Sequence, residues 1–536
     1  MAVWNQRRSF WTWGNVSDEP SAQQRQQMAE AMSQRFGREV IPPPIPNLDE
    51  IELRASRVTV PAKLTDFISV DHTERALHTY GGHALELLKA LRGQFDHPPD
   101  AVAHPRSEDE LEATLSWCDE KGHSAIPYGG ATSVVWGLSV PPQCEGAVTI
   151  DMDHFHRVLE VDDVSRAACV EAGVFGPDLE SHLRPLGLTL RHFPQSFPWS
   201  TVGGWIATRS SGHYATNHTH IDDFVESVRM LTPNGWWESR RLPGSGAGPS
   251  PDRMVIGSEG ILGVITNSWL RLQKRPVFRA SAGVVFADWT RGYEATRHIA
   301  QAKLWPANLR LLDPMEAEGS AGMDGTRSLL VLGFESAEIP QGSNIGEAVR
   351  IAREFGGHID EDAVLVDDGS GEATGREGAV GAWRQSFIGV NAGLSNGLGL
   401  LADTFETAIT WDKWPGFDEH VRAKVGVALR ETLGDSARLS CRFTHVYPDG
   451  PAPYYSFSGV AAPGSETELW QHIKDTALQA VVDAGGTCTH HHAVGRMHRP
   501  GYDQQVPQPF QTTLRAIKQS LDPKGILNPG VLVDSN

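Results

Sequence analysis

Three short glycine-bearing segments, taken in order, constrain this 536-residue chain more than anything else in it. The first is Pro127-Tyr128-Gly129-Gly130-Ala131-Thr132-Ser133, entered from the apolar run Ala125-Ile126. The second is QSFPWSTVGGWIATRSS, from Gln195 to Ser211, and the third is SEGILGVI, from Ser258 to Ile265. Glycine lets a backbone approach another group closely, and consecutive N–H groups can converge on an anion such as a pyrophosphate. A glycine that interrupts an apolar strand signals the same close approach. One such segment reads equally well as a plain turn. Three in order between residues 127 and 265 are hard to explain by packing alone.

Around these segments the chain has an α+β texture. Residues 1–45 are rich in Trp, Gln and Arg and end in the extended run IPPPIP. Residues 46–96 read as mostly helical, with HALELLKALRGQF the clearest amphipathic stretch. SEDELEATLSWCDEKG (107–122) is a helix with Ser107 placed to cap it. SAIPYGG, AVTIDM and AACVEAG are short strands. From 276 the pattern restarts. FRASAGVVF, SLLVLGFES and the hairpin SCRFTHVYPDGPAPYYSFSGV alternate with helical IGEAVRIAREFGG and ELWQHIKDTALQAVVDAGG. The expected division is an N-terminal helical segment (1–96), a first α+β domain (97–275), a second with an antiparallel sheet (276–480), and a returning tail (481–536). VDDGSGEATGREG (366–378) is a loop by composition.

Formal net charge is −19, which argues against nucleic acid as a partner. Five cysteines without a CxxC pair fit a reducing compartment better than a disulfide framework or a thiolate metal site. The first residues lack a long apolar core, and no uninterrupted apolar run reaches the ~18 residues a membrane span needs. A cytoplasmic protein acting on a small molecule is the expectation.

The three glycine segments resemble, in order and spacing, the FAD-binding segments of the vanillyl-alcohol-oxidase-type flavoproteins, and above all the alkyldihydroxyacetonephosphate (alkylglycerone-phosphate) synthase branch. The resemblance extends through PANLRLLD (306–313), TFETAITWD (404–412), SCRFTHVYPDGPAPYYSF (440–457) and THHHAVGR (489–496). The ending LDPKGILNPG is shared more widely among FAD-linked oxidases. It implies a two-domain α+β flavoprotein with an antiparallel-sheet cap domain, working as a homodimer. Pro127, Tyr128, Gly129, Gly130, Ala131, Thr132 and Ser133 would form the pyrophosphate loop. Gln195, Ser196, Ser200, Thr201 and Gly204, then Thr208, Ser210 and Ser211, would add FAD contacts. Glu259, Gly260, Leu262, Gly263, Val264 and Ile265 would complete them. Tyr454 stands where the family has a catalytic tyrosine, and His490, His491 and His492 where it has a histidine run needed for activity. Arg310 matches an arginine placed near the flavin. Relatives with a histidyl flavin link carry the histidine in the loop where this chain has Ala131 and Thr132, so non-covalent FAD is expected.

These residue types suit that chemistry. An arginine supplies a permanent positive charge beside an anionic flavin. Tyr and His can move a proton next to a carbonyl. On a strand, alternation would turn His490 and His492 one way and His491 the other. The branch implies flavin N5 chemistry in which a fatty alcohol replaces an acyl group without net redox change. The alternative is a FAD-linked oxidase or dehydrogenase of an alcohol or 2-hydroxy acid, whose members often hold a divalent metal. A metal-free site is the reading here, with His445, His490 and His492 as the imidazole set that the alternative would use. One departure bears on substrate. The family's phosphate-gripping arginine aligns with Ala392, in Val390-Asn391-Ala392-Gly393, and no arginine lies between Arg384 and Arg422. The expected substrate is therefore a less anionic, more apolar alcohol or ketone than an acyl-dihydroxyacetone phosphate, unless Arg384 is re-routed into the pocket.

Overall fold

The computed structural model describes residues 8–214, 220–360, 363–367, 369–370, 381, 385 and 393–534. Among them, three sheets of four, five and seven strands organise the chain. The first two flank the glycine segments. In the four-stranded sheet, Ser124–Tyr128 and Ala101–Ala103 run parallel to Ala147–Asp151, and Ile68–Ser69 adds an antiparallel edge. The five-stranded sheet is antiparallel, with Val264–Arg271 paired to Ala167–Glu171 on one side and Val225–Thr232 on the other. The first and third glycine segments sit where a strand ends or begins. Tyr128 closes one strand and Val264 opens another.

Local signals account for several elements. In helix Glu108–Lys121 the Ser107 hydroxyl accepts from the Glu110 N–H, three acidic residues fill the first turn, and Gly122 ends it in the left-handed region. Helix Trp289–Gln301 is capped by Asp288. Residues 46–96 depart from the helical expectation. They hold helices only at His72–Leu77 and Ala84–Leu91, with single 3₁₀ turns at Leu48–Glu50 and Ala62–Leu64. The prolines at 42–46 and 61 break helical hydrogen bonding. Val58, Leu64 and Ile68 are drawn instead onto the apolar cluster around the four-stranded sheet.

The seven-stranded antiparallel sheet has the order Leu365–Asp367, Phe278–Phe286, Ser328–Ser336, Asn308–Leu312, Arg438–Val446, Pro451–Gly459, Leu401–Glu406. Strand alternation sorts its residues between two faces. Leu309, Leu311, Phe405, Cys441, Phe443, Tyr455 and Phe457 join a large core that includes Trp414 and Trp470, both fully buried, from helices Trp414–Leu433 and Glu466–Asp483. Arg310, Thr404, Glu406, Arg442, Tyr454 and Ser456 sit at the alternate positions, on the face turned to the glycine segments. The outer face is thus an ordinary apolar core, which leaves the inner face free to be polar.

The C-terminal tail returns to the first sheets. Ala125 donates its N–H to Ile526, and Asn528 donates to Ala125. A buried ion pair fastens this return. Lys518 Nζ reaches Asp522 Oδ2 at 2.7 Å and donates to the carbonyls of Ile261 and Leu527, both at 2.9 Å, while Asp522 accepts from the N–H groups of Ile526 and Leu527. Removing one partner of such a pair leaves a desolvated charge. Lys518→Met is expected to cost about 3–5 kcal/mol in urea unfolding, and Lys518→Met/Asp522→Asn less than that. A loss below about 1 kcal/mol for the single variant would show that the pair does not hold the tail.

Candidate functional site

A cavity of about 660 Å³ separates the glycine segments from the inner face of the seven-stranded sheet. Its first wall is the loop Pro127–Ser133, where Tyr128 is buried and Ala131 takes φ 59°. A Cβ added at Gly130 would lie 1.9 Å from the Trp199 carbonyl oxygen, and one at Gly129 would lie 2.5 Å from Thr201 Oγ1. No side chain fits there, so the two segments are pressed together as the sequence implied. The second segment folds into the short helix Val202–Thr208, whose Thr201 hydroxyl accepts from the Gly204 N–H. Gln195, Ser196, Ser200, Thr201 and Gly204 line the cavity, as do Thr208, Ser210 and Ser211. The third segment contributes Glu259, Gly260, Gly263, Val264 and Ile265. Leu262, expected among the FAD contacts, instead packs fully buried in the apolar cluster behind the cavity.

The opposite wall carries the candidate reactive side chains. Tyr454, His491 and His492 all line the cavity, although they come from a strand and a distant loop. Tyr454 stacks on His491 with ring centroids 5.9 Å apart and meets His492 edge-on at 5.4 Å. The Arg442 guanidinium sits 4.2 Å from the centre of the Tyr454 ring. Burial pushes the Tyr454 phenol above its ordinary pKa, with Arg442 pulling the other way, so at neutral pH it keeps its proton.

The histidine run is not a strand. It is a bend wrapped round the buried carboxylate of Glu406, and this overturns the alternation expected of its rings. The N–H of His490 donates to Glu406 Oε2 at 2.7 Å, that of His491 to both oxygens at 3.3 Å, and that of His492 to Oε1 at 3.1 Å. The Thr489 hydroxyl donates as well. With three successive N–H groups turned to one anion, the rings splay outward. Burial alone would raise the pKa of Glu406. The neighbouring His491 and His492, with the hydrogen bonds, hold it well below the carboxylate range.

His490 points away from the cavity lining, its Nε2 2.6 Å from the Tyr447 hydroxyl. Its ring nitrogens and those of His445 and His491 lie within 4.8 Å of one another. These three could hold a metal ion, in place of the set of His445, His490 and His492 read from the sequence. Arg310 is also set back. It is 1% exposed and donates to Asn308 Oδ1 at 3.0 Å and to the His213 carbonyl at 2.9 Å. Burial, with the nearby Arg442, pulls its guanidinium well below the ordinary arginine pKa, and it stands behind the cavity lining.

The sequence reading missed Glu406, Arg442 and Trp13. The Trp13 indole lines the cavity and donates to the Gly82 carbonyl. Glu406 lies within the quoted segment TFETAITWD, but its partners are 84 to 86 positions away. Glu259, by contrast, was read as a flavin contact. It is buried, and its carboxylate also accepts the N–H groups of Val494 and Gly495 at 2.9 and 2.8 Å, which ties the loop after the histidines to the first domain's glycine segment.

Burial sets the acid response. It lowers His83, His192 and His492 to about 3 and His498 to about 4, so all four are neutral in the fold. An unfolded chain takes up protons on them below about pH 6.5. Their stabilisation is therefore complete above that pH and is lost as pH falls. Glu86 and Glu259, raised to about 7 by burial, act oppositely and gain stability on acidification from about 7 to 4.5. Four groups outweigh two. The melting temperature is expected to fall between pH 6.5 and 4.5, and a flat or rising Tm over that range would contradict these burials.

The donor set fits FAD. Glycines too crowded for a side chain, hydroxyls from two segments and a helix start surround a space of dinucleotide size. Comparisons with known proteins agree. Residues 99–239 match the family described as FAD binding domain, and 275–532 match that of FAD linked oxidases, C-terminal domain. Alkyldihydroxyacetonephosphate synthase from Trypanosoma brucei brucei is 26% identical over 92% of this chain and 82% of its own length. The same-named enzyme of Dictyostelium discoideum is 27% identical over 88% and 79%. The mitochondrial D-lactate dehydrogenase [cytochrome] of Arabidopsis thaliana is 27% identical over 88% and 78%. A solved alkyldihydroxyacetonephosphate synthase superposes with a TM-score of 0.78 at 21% identity, covering 99% of each chain, and p-cresol methylhydroxylase with 0.67 at 16%, covering 88% and 94%. Glycine segments, cap sheet and matched families together place this chain among the vanillyl-alcohol-oxidase-type flavoproteins, as an FAD-dependent enzyme that resembles alkyldihydroxyacetonephosphate synthase.

Proposed function

We propose that this enzyme carries out chemistry at the flavin N5 on a small alcohol- or ketone-type substrate of low negative charge, with Tyr454 as the proton donor and His492 or His491 as the acceptor. The observation that carries this reading is the convergence of the Tyr454 ring with both imidazoles on the wall facing the glycine segments. Bound FAD supplies an electron-accepting centre at N5. The chain's own residues handle the proton. Tyr454 holds one on its hydroxyl at neutral pH, and the buried, neutral His492 can receive one. An imidazolium formed on His491 or His492 faces the Glu406 carboxylate, with Nδ1 atoms 3.4 and 3.7 Å from it. That is the arrangement in which a buried anion steadies a transient cation.

Low substrate charge rests on the cations available. Ala392 and Arg384 lie outside the described residues. Among the described residues lining the cavity, Arg442 is the only Lys or Arg, and its guanidinium is already paired with Glu316. A phosphate placed there would compete with that carboxylate. We further read 97–275 as the FAD-binding domain and 276–480 as the cap, with 481–536 returning to the former, as the contacts of Ile526 and Asn528 support. A cytoplasmic homodimer is the assigned setting. Five free, buried cysteines support the reducing compartment, and the family resemblance supports the dimer.

Three measurements test this. Purified protein should be yellow, and acid should release the FAD, because Ala131 and Thr132 stand where a histidyl link would form. Flavin that stays with the denatured chain would refute non-covalent binding. Tyr454→Phe and His492→Ala should keep FAD and lose on the order of 10²-fold or more in turnover. Near-normal turnover in both would reassign the acid and base. Anaerobic addition of substrate separates the two reaction classes. Spectral change without net bleaching means exchange, and full bleaching means oxidation of the kind named for the D-lactate dehydrogenase relative.

A further inference from the structure

The strand register sets the inner wall out in rows. Glu406, Tyr454 and Arg442 form one row across three strands, and Thr404, Ser456 and Ser440 form the next. Ala402, Ser458 and Arg438 form a third, of which Ala402 and Ser458 line the cavity. Direct neighbours in such rows stand roughly 5 Å apart, and successive rows on one face roughly 7 Å apart. The row beside Tyr454 therefore consists of three hydroxyls, of which those of Thr404 and Ser456 belong to residues lining the cavity. Helix Pro314–Ala321 adds Glu316 and Ser320 to the same space, and Ser395 comes from the short helix Leu394–Gly397. Phe457 also borders the cavity but belongs to the core behind the sheet.

The hydroxyls differ in their commitments. Ser440 donates to Glu316 Oε2 at 2.7 Å, and Ser320 donates to the Glu316 carbonyl within its own helix. The hydroxyls of Ser456 and Ser458 have no hydrogen-bond partner among the described residues, yet both residues line the cavity. Arg442 and Glu316 cancel as charges but leave donor and acceptor edges at the wall. A long alkyl chain laid here would strip water from the two serines and return no hydrogen bond. It would also meet an ion pair where it needs apolar side chains.

We propose that the substrate of this site is an uncharged, hydroxyl-rich molecule of the polyol class, and not a long-chain alcohol or acyl ester. Ser456 is the residue that reads it, donating to or accepting from a substrate hydroxyl one row beyond Tyr454, and Ser458 meets the next. Thr404 stands beside Ser456 in the same row and lines the cavity with it. The proposal rests on Tyr454 facing the reacting end of the substrate.

The test uses the FAD-loaded enzyme and the flavin absorbance as a binding signal. Xylitol and sorbitol are titrated against 1-pentanol and 1-hexanol, which match them in carbon number. Polyols should perturb the flavin at concentrations at least ten-fold lower than the alkanols. Ser456→Ala should weaken polyol binding about ten-fold and leave the alkanols unchanged. Ser456→Leu/Ser458→Leu should reverse the preference, with flavin content confirming that the variant folds. Alkanols binding as tightly as polyols, no response to either polyol, or an equal effect of Ser456→Ala on both classes would each overturn the proposal. Tyr454→Phe serves as a separate arm. Full turnover in that variant sinks the catalytic assignment, whereas a lost polyol preference in wild type sinks only the substrate class.

Discussion

Two buried carboxylates gripping one short stretch of backbone hold this site together. Glu406, from the cap sheet, accepts the N–H groups of His490, His491 and His492. Glu259, from the third glycine segment, accepts those of Val494 and Gly495. Between them Ala493 turns through the left-handed region at φ 75°, which lets the chain face one anion and then the other. Desolvating a carboxylate costs several kcal/mol, so neither would be buried without such donors. The loop in turn has no strand or helix to satisfy its N–H groups. Each side makes up the other's deficit, and the histidines are delivered to the seam between cap and glycine segments.

That dependence explains why the glycines are so tightly constrained. Gly495 lies at φ 54°, and a Cβ there would come within 1.9 Å of the Val135 carbonyl oxygen. Val135 follows directly on the loop Pro127–Ser133, so the histidine loop and the first glycine segment touch through backbone. The tail adds a third tie, because Asn528 donates from its side chain to the carbonyls of Gly137 and Glu259. The cavity wall is therefore made of loops, but loops fixed at both ends by buried polar contacts. Preorganisation of this kind is what positioning a reactive ring requires.

What could be read in advance follows from the range of the interactions. Helix Glu108–Lys121 was legible because its cap, first-turn acids and terminal glycine are all local. The hairpin Arg438–Val446 with Pro451–Gly459 was legible from its turn and strand composition. Helix Val202–Thr208 was not, since two glycines weaken it and it stands on the Thr201 cap and on close packing, with Gly203 against Ala172. Two of the three histidines of the run line the cavity, but the geometry of the run is not legible in the sequence. A strand was assumed because nothing within the sequence THHHAVGR indicates that Glu406 will be inserted beneath it. The polar spacing of Tyr454, Ser456 and Ser458 was present in the sequence all along. It becomes a statement about substrate only once the register sets Thr404 and Ser440 on either side of Ser456.

The crowd of imidazoles has a consequence for the proton. His220, His445 and His490 are each pushed below the ordinary histidine pKa by burial and by their neighbours, and His492 is brought to about 3. Charging two of them at once in so small a volume would set like charges a few ångströms apart at low dielectric. A second charge would therefore cost more than a first, and Glu406 favours the rings it faces. Its carboxylate faces His491 and His492, not the Tyr447 side of His490. On the proposed reading, the cluster would act as one proton acceptor whose favoured position lies against Tyr454. On that reading, a proton taken from a substrate would stay beside the group that can return one to it.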